Sequence, residues 1–171
     1  MMLRPATPRD AAALAAISME VWLGTYIRRG VSAFFADYAL QTFTADRFRA
    51  TLADPEEHIL VSQNQDGPDG FLRLTQNRPC PVKTCPATAE LTTLYIQPRH
   101  QGRGLGKALL DAGLARARSL GVESLWLAAN TENSDAIRFY IREGFDAVGE
   151  TRFRIQDEEY PNTVLARRVS V

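Results

Sequence analysis

The chain has 171 residues, 45% of them hydrophobic and 23% charged, and its 20 basic and 20 acidic side chains give a formal net charge of zero. These values are typical of one soluble domain, residues 1–171, with a substantial core, and they give no indication of a nucleic-acid partner or an anionic membrane surface. No apolar run approaches the roughly 18 residues of a membrane helix, and the N-terminus lacks the apolar core of a signal peptide. We therefore expect a cytoplasmic protein with no membrane partner.

Hydrophobic periodicity and turn residues predict the elements of the first part of the chain. Thr7 is expected to cap a helix with Pro8 in its first turn and Asp10 near its positive end, and Thr44 is expected to cap another helix. Strands are expected where short β-rich runs are bounded by Gly, Pro and Asp. The predicted elements are a strand at Leu3–Ala6, a helix that buries Leu14, Ile17, Val21 and Trp22, a helix at about Ser32–Leu40, a helix from Thr44 to Asp54, and strands at His58–Ser62 and Phe71–Thr75 around a turn at Asp66–Gly70.

The second part of the chain is organised around a strand, a glycine-rich turn and a helix. Leu91–Ile96 is rich in β-branched and aromatic residues, Glu90 opens it, and Pro98 ends it because proline cannot donate to a sheet ladder. The other predicted elements are a surface loop at Asn77–Ala87, a helix from the glycines to Leu120 with Gly121 at C′, a strand at Leu125–Ala129, a helix at Asn133–Arg142 ended by Gly144, and a hairpin of Phe145–Ile155 and Thr163–Val169 around Asp157–Asn162. This order predicts a mixed α/β fold.

Two cysteines, Cys80 and Cys85, flank Pro-Val-Lys-Thr in the proline-rich loop. A disulfide or half of a metal site is conceivable, but zinc would need two further ligands and the histidines are His58 and His100 alone. In a reducing compartment we expect incidental thiols and no metal site.

The segment Gly102-Arg103-Gly104-Leu105-Gly106 lies between a strand end and a helix start. There, several backbone N–H groups have no intrahelical partner and the helix dipole is positive, so the segment is suited to bind phosphate oxygens. Glycine allows a pyrophosphate to approach the backbone, and Arg103 and Lys107 add two cations. The spacing excludes a P-loop, since Gly106-Lys107 is followed by Ala108, and the alternating glycines exclude the dinucleotide fingerprint. A glycine-rich turn before a core helix is the alternative.

Two blocks of sequence resemble the GNAT (general N-acetyltransferase) superfamily. The first is Gln101-x-x-Gly104-x-Gly106 after a strand ending Leu94-Tyr95-Ile96, which resembles the family's pyrophosphate loop. The second is Asn133–Phe145, which resembles its second coenzyme A segment. The resemblance implies a mostly antiparallel central sheet flanked by helices, with a splayed strand pair that admits the pantetheine arm of acetyl-CoA. It also implies an acetyl-CoA-dependent N-acetyltransferase that transfers directly to a primary amine, and a possible homodimer.

The resemblance also implies roles for individual residues. The backbone at Leu94, Tyr95 and Ile96 would anchor pantetheine and donate to the oxyanion, and Asn133 would contact the cofactor or cap its helix. Tyr140 resembles the family tyrosine that protonates the departing thiolate, and the alternative is a core tyrosine. The residues expected to bind acetyl-CoA are Leu94, Tyr95, Ile96, Gln101, Gly102, Arg103, Gly104, Leu105, Gly106, Lys107, Asn133 and Tyr140.

The amine acceptor is less defined by the sequence. Glu90 shares the face of Thr92, Leu94 and Ile96 by alternation, so it is a candidate for the base that deprotonates the amine, or else a solvated glutamate. Phe34, Phe35, Tyr38 and Phe43 form an aromatic cluster between the second and third predicted helices. They belong to the core by default, but the resemblance implies that this region walls the acceptor pocket. The acidic run Asp157–Glu159 suits a polyamine, as in bacterial spermidine/spermine N-acetyltransferases, or is merely solvated. A peptide N-terminus, an amino acid, an antibiotic amine and a non-catalytic acyl-CoA-binding module remain alternatives.

Overall fold

The computed structural model describes residues 2–27 and 29–169, and this part of the chain forms seven β-strands and five α-helices. Short 3-10 turns at Pro8–Asp10 and Pro98–His100 precede α1 and α4. The strands are β1 Met2–Pro5, β2 Glu57–Gln63, β3 Pro68–Thr75, β4 Ala89–Ile96, β5 Ser124–Asn130, β6 Asp146–Ile155 and β7 Glu158–Arg168, and the helices are α1 Ala11–Tyr26, α2 Ala33–Thr42, α3 Ala45–Ala53, α4 Leu105–Ser119 and α5 Ser134–Arg142.

The strands form one sheet in the order β1-β2-β3-β4-β5-β7-β6. Antiparallel pairing joins β1 to β2, β5 to β7 and β6 to β7. Parallel pairing of β4 with β5 is confined to Ala89 with Leu125 and Glu90 with Trp126, whereas β5 stays paired to β7 as far as Asn130. The predicted fold class, a mixed and mostly antiparallel sheet flanked by helices, is confirmed.

Two compact units can be distinguished within the chain, Met1–Arg73 with Thr93–Gly113, and Leu74–Thr92 with Leu114–Val171. In the first, α1 and α3 bury an apolar cluster against β2 and β3 that includes Leu14, Phe48, Val61 and Phe71. In the second, Ala87, Trp126 and Val164 form a small core onto which Cys80 and Cys85 pack. The assignment of residues 1–171 to one domain stays a prediction.

Side chains cap the N-termini of three helices, as predicted for Thr44 and Asn133. The side chains of Ser32, Thr44 and Asn133 accept hydrogen bonds from backbone N–H groups in the first turns of α2, α3 and α5. Beyond α5, Gly144 has φ +82° and the N–H of Phe145 donates to the carbonyl of Tyr140, the arrangement of a Schellman motif. Gly121 has the same role beyond α4.

The helical backbone that leads into α1 begins at Pro8 with Thr7 as its N-cap, as predicted. Thr7 and Asp10 form a capping box, and the Thr7 hydroxyl also lies 3.0 Å from Asp10 Oδ2, to which it donates. The Asp10 carboxylate also accepts the Thr7 N–H at 2.7 Å and both terminal nitrogens of Arg4 at 2.8 Å. Asp10 is therefore a buried ion-pair partner and not merely an acid at the positive end of a helix.

This ion pair makes stability depend on pH. Hydrogen bonding from Arg4 is the main reason why the pKa of Asp10 is lowered to about 2. Because the folded pKa lies below the unfolded one, the stabilisation is fully present above about pH 4 and is lost as pH falls through 2. We compare the free energy of unfolding of wild type with that of Asp10→Asn. The difference between the two proteins should be about 2 kcal/mol larger at pH 6 than at pH 2. Urea unfolding at both pH values measures this, and an equal difference at both would contradict it.

The β2–β3 turn is displaced from its predicted position. The prediction at Asp66–Gly70 is wrong because Asn64 organises the turn: its Oδ1 accepts the N–H groups of Asp66 and Gly67. As a result β3 begins at Pro68, and Asp69 and Gly70 are buried within it. A Cβ at position 70 would lie 2.9 Å from the carbonyl oxygen of Tyr95, so glycine permits a close approach of β4.

The terminal hairpin is also tighter than predicted. Its loop was expected at Asp157–Asn162, but β7 begins at Glu158, and Gln156 at the turn has φ +52°. Pro161 lies within β7 opposite Arg152 of β6, beyond the stretch that pairs with β5. Proline is tolerated there because one side of the strand lacks a ladder partner.

Candidate active site

The segment after β4 is held in place by polar contacts. Gln101 Nε2 donates to the carbonyl of Ile96 at 3.1 Å, which closes the turn between the strand and the glycines. The carbonyl of Asp69 accepts the Gln97 N–H at 3.0 Å, and Asp69 Oδ2 lies 3.2 Å from His100 Nδ1. Sequence reasoning missed Asp69, because Asp-Gly between strands is a typical turn signal. Here it tethers the loop to β3.

The backbone conformation of the loop favours glycine at two positions. Gly102 and Gly104 have φ values of +72° and +81°, and a Cβ at either would meet no heavy atom within 4 Å. Open space therefore lies beside both glycines. The hydrogen bond from the Ala108 N–H to the Gly104 carbonyl, at 3.0 Å, starts the α4 ladder, so the N–H groups of Leu105 and Gly106 precede it. This is the geometry of an anion site at a helix N-terminus.

The two predicted cations differ in their surroundings. Arg103 is exposed and makes no ion pair with any residue in 2–27 or 29–169. Lys107 Nζ lies 3.1 Å from both carboxylate oxygens of Asp111, one helical turn further on. Arg103 is therefore the cation with its charge uncompensated.

Tyr140 is 8% exposed in the second unit, on α5. Its ring packs edge-on against Phe139 and Phe145, with centroid separations of 5.2 and 5.6 Å. Asn133 caps the same helix through a 3.3 Å bond from the Ala136 N–H. These contacts agree both with a core tyrosine and with a tyrosine that protonates the thiolate, because the ring can pack in the core while the hydroxyl reacts.

Glu90 also lies in the second unit, largely buried, at the start of β4. Its Oε2 is 3.8 Å from Arg78 Nη1, at the outer limit of an ion pair. The Arg78 carbonyl accepts the indole N–H of Trp126 at 2.8 Å. The loop containing Arg78 is thus fixed to β5, the strand paired with Glu90.

A cavity of about 370 Å³ lies in the first unit and was not foreseen from the sequence. Its lining comes from α1, α3, β3 and β4 and the end of α2: Ser18, Thr42, Phe43, Arg47, Phe48, Ala50, Thr51, Arg73, Thr93 and Tyr95. Of the residues predicted to bind acetyl-CoA, Tyr95 lines this cavity. The expected aromatic cluster is present, since Trp22 lies 5.0 Å from Tyr38 and 6.0 Å from Phe43 between ring centroids, but of these rings only Phe43 reaches the cavity.

The acidic run of the terminal hairpin is largely engaged with its own strands. Glu159 pairs with Arg152 and Arg154, each at 2.7 Å, and hydrogen bonds from both guanidinium groups lower its pKa. Glu158 accepts the Tyr160 hydroxyl at 2.6 Å. Two of the three carboxylates expected to attract a polycation are therefore engaged within the hairpin.

The two thiols are free and partly buried, and burial is the main cause that raises the pKa of Cys80 to about 11. No group of three or more His, Cys, Asp or Glu side chains within residues 2–27 and 29–169 is arranged to hold a metal ion. None of the helices in these ranges is long and apolar enough to cross a bilayer.

The central strand of a mostly antiparallel sheet thus leads through a glycine turn into a helix N-terminus, an arrangement suited to an anionic cofactor. The chain belongs to the acetyltransferase (GNAT) family, whose model matches residues 23–145. An uncharacterized N-acetyltransferase of Mycobacterium tuberculosis is 28% identical over 134 residues, 78% of this chain and 81% of the relative.

Solved structures share the fold. A PaiA N-acetyltransferase of Thermoplasma acidophilum, in complex with coenzyme A, has a TM-score of 0.79 at 17% identity and covers 98% of both chains. The YncA protein of Salmonella typhimurium, solved with acetyl-CoA, has a TM-score of 0.70 at 20% identity over 100% of this chain and 95% of that one. The predicted superfamily is confirmed, whereas the nearer likeness to spermidine/spermine acetyltransferases is not shown.

Proposed function

We propose that the protein transfers the acetyl group of acetyl-CoA directly to a primary amine of a small molecule or peptide. The observation that carries this proposal is the pair of positive-φ glycines with open space beside them at the start of α4. Fold neighbours solved with coenzyme A and acetyl-CoA support the same donor.

The glycine loop would hold the pyrophosphate through the backbone N–H groups at Gly102–Lys107, with Arg103 as the cation. Gln101 would act indirectly by closing the turn that presents those groups. The backbone at Leu94–Ile96 would bind pantetheine and donate to the oxyanion that forms on the thioester carbonyl. Asn133 would contact the cofactor while it caps α5.

The chemistry follows from these assignments. The amine nitrogen attacks the thioester carbonyl carbon, a C–N bond forms, and the C–S bond breaks. Tyr140 would give its proton to the departing thiolate, while a base accepts the proton lost by the amine. Glu90 is the candidate for that base, through water.

The role of Glu90 has a distinct pH signature. If it deprotonates the amine, Glu90→Gln should lower kcat/KM by about tenfold to hundredfold at pH 6–7, where free amine is scarce, and much less as pH approaches the pKa of the amine. Initial rates from pH 6 to 10 measure this. The matched control is Glu132→Gln, which removes an exposed carboxylate. An equal loss at every pH would make Glu90 a positioning residue.

The polyamine acceptor proposed from the acidic turn has weaker support, because Glu158 and Glu159 are engaged within the hairpin. Spermidine therefore belongs in the test as one acceptor among several classes. The proposed function is tested by thiol release from acetyl-CoA with a panel of amino acids, monoamines, spermidine, aminoglycosides and peptides. Amine-dependent release is expected, and its absence over the whole panel, together with no acetyl-CoA binding by calorimetry, would overturn the proposal.

A further inference from the structure

The cavity in the first unit lies on the side of the sheet opposite to α4. A Cβ at Gly113 of α4 would lie 2.8 Å from the Leu72 side chain, so α4 packs on the face that carries Leu72. Arg73 follows Leu72 in β3 and points to the other face, where it lines the cavity. Thr93 and Tyr95 bring the cavity to β4, the strand that leads into the glycine loop. A donor bound at α4 and an acceptor in the cavity would reach β4 from opposite faces.

The lining is rich in hydrogen-bond donors and cationic. Arg47 and Arg73 line the cavity, and no carboxylate does so among the described residues. Arg73 donates from Nε and Nη2 to the two carboxylate oxygens of Glu57, at 2.7 and 2.5 Å. This ion pair balances the charge of Arg73 and leaves its Nη1 outside the pair.

The charge of Arg47, unlike that of Arg73, is not compensated by a carboxylate. Its guanidinium makes no ion pair within the part of the chain that the structure describes. Arg47 acts electrostatically on the Tyr38 hydroxyl, a phenol that is neutral at pH 7 and whose pKa is raised further by burial. The cavity therefore carries a net charge of about +1, which disfavours a polycation and favours an anion.

We propose that this cavity selects an acceptor that carries a carboxylate as well as the amine, in the manner of an amino acid, and that Arg47 is the specificity-determining residue. The proposal rests on the proposed acetyltransferase function and names its substrate class. The carboxylate pairs with Arg47, the rings of Phe43 and Tyr95 accommodate an apolar side chain, and the amine is left to attack the thioester. The products are an N-acetyl amino acid and coenzyme A, with one proton released.

The test compares amino acids with the amines formed by their decarboxylation: phenylalanine with phenethylamine, and leucine with isoamylamine. The expected kcat/KM is at least tenfold higher for each amino acid. Arg47→Gln should raise the KM for the amino acids by about tenfold to hundredfold and leave that for the amines unchanged, while Arg47→Lys should restore part of the preference.

Arg49→Gln is the matched control. Arg49 lies two positions further along α3, where it is exposed and pairs with Asp46, and it does not line the cavity. Its replacement should leave KM and kcat/KM unchanged for the amino acids and for the amines. Equal or better use of phenethylamine or spermidine, with an Arg47→Gln variant that behaves like wild type, would overturn the inference and leave the acetyltransferase function standing. Acetyl-CoA binding without turnover of any amino acid would overturn it too. If the protein neither bound acetyl-CoA nor released thiol from it, both the proposed acetyltransferase function and this inference about the acceptor would be overturned.

Discussion

Gly104→Glu should lose at least a hundredfold in affinity for acetyl-CoA. A glutamate there would extend into the open space beside the α4 N-terminus, where the phosphates are proposed to bind. Like charges brought together cost several kcal/mol, and every 1.4 kcal/mol is a factor of ten in the dissociation constant. Isothermal titration of acetyl-CoA into the purified variant measures the loss.

The controls separate charge from backbone strain. Gly104→Ala keeps φ +81° unfavourable, at about 1–2 kcal/mol of stability, but adds no charge, so most of the affinity should remain. Gly121→Glu adds the same side chain at φ +74° beyond the opposite end of α4, also into open space. It should show similar destabilisation with normal acetyl-CoA binding. If Gly104→Glu bound acetyl-CoA with wild-type affinity, the phosphates would not bind at this loop.

Tyr140→Phe should lower kcat by about a hundredfold or more and leave acetyl-CoA affinity nearly unchanged. Loss of a general acid typically costs 10² to 10⁴ in rate, because the thiolate must then leave without a proton. The variant keeps the ring that packs against Phe139 and Phe145, so the fold should be little affected. Single-turnover measurements, in which chemistry limits the rate, are the appropriate assay.

Tyr160→Phe is the matched control for this hydroxyl deletion. Its hydroxyl donates to Glu158 on β7 and has a pKa raised to about 12, chiefly by burial. Removal should leave kcat unchanged. Wild-type kcat in Tyr140→Phe would assign Tyr140 to the core, and a fall in melting temperature that tracks the fall in activity would indicate a structural role.

Elements whose signals are local were predictable from the sequence. Caps at Ser32, Thr44 and Asn133 and terminators at Gly121 and Gly144 depend on residues within one helical turn, so their chemistry can be recognised without tertiary contacts. The glycine loop belongs to this group. The anion-binding role proposed for it rests on a strand, a turn and a helix that are consecutive in the chain.

The errors arose where tertiary pairing overrode a local signal. Asp69-Gly70 is typical of a turn, yet both residues lie in β3, because Asn64 makes the turn and Gly70 admits the Tyr95 backbone. Pro161 is typical of a loop, yet it is tolerated where β7 has one partner strand. The cavity could not be predicted, because Arg47 and Arg73 come from a helix and a strand far apart in the sequence.

The tether of Asp69 to the segment after β4 affects the entropy of cofactor binding. Gln97 and His100 are hydrogen-bonded to Asp69, and Gln101 to Ile96, so contacts within the protein hold this segment. Ordering a backbone residue costs about 1–2 kcal/mol, so a segment already ordered spares that cost on association. The conformational freedom to be lost on binding is then concentrated at Gly102–Gly104, where the backbone amides meet the ligand.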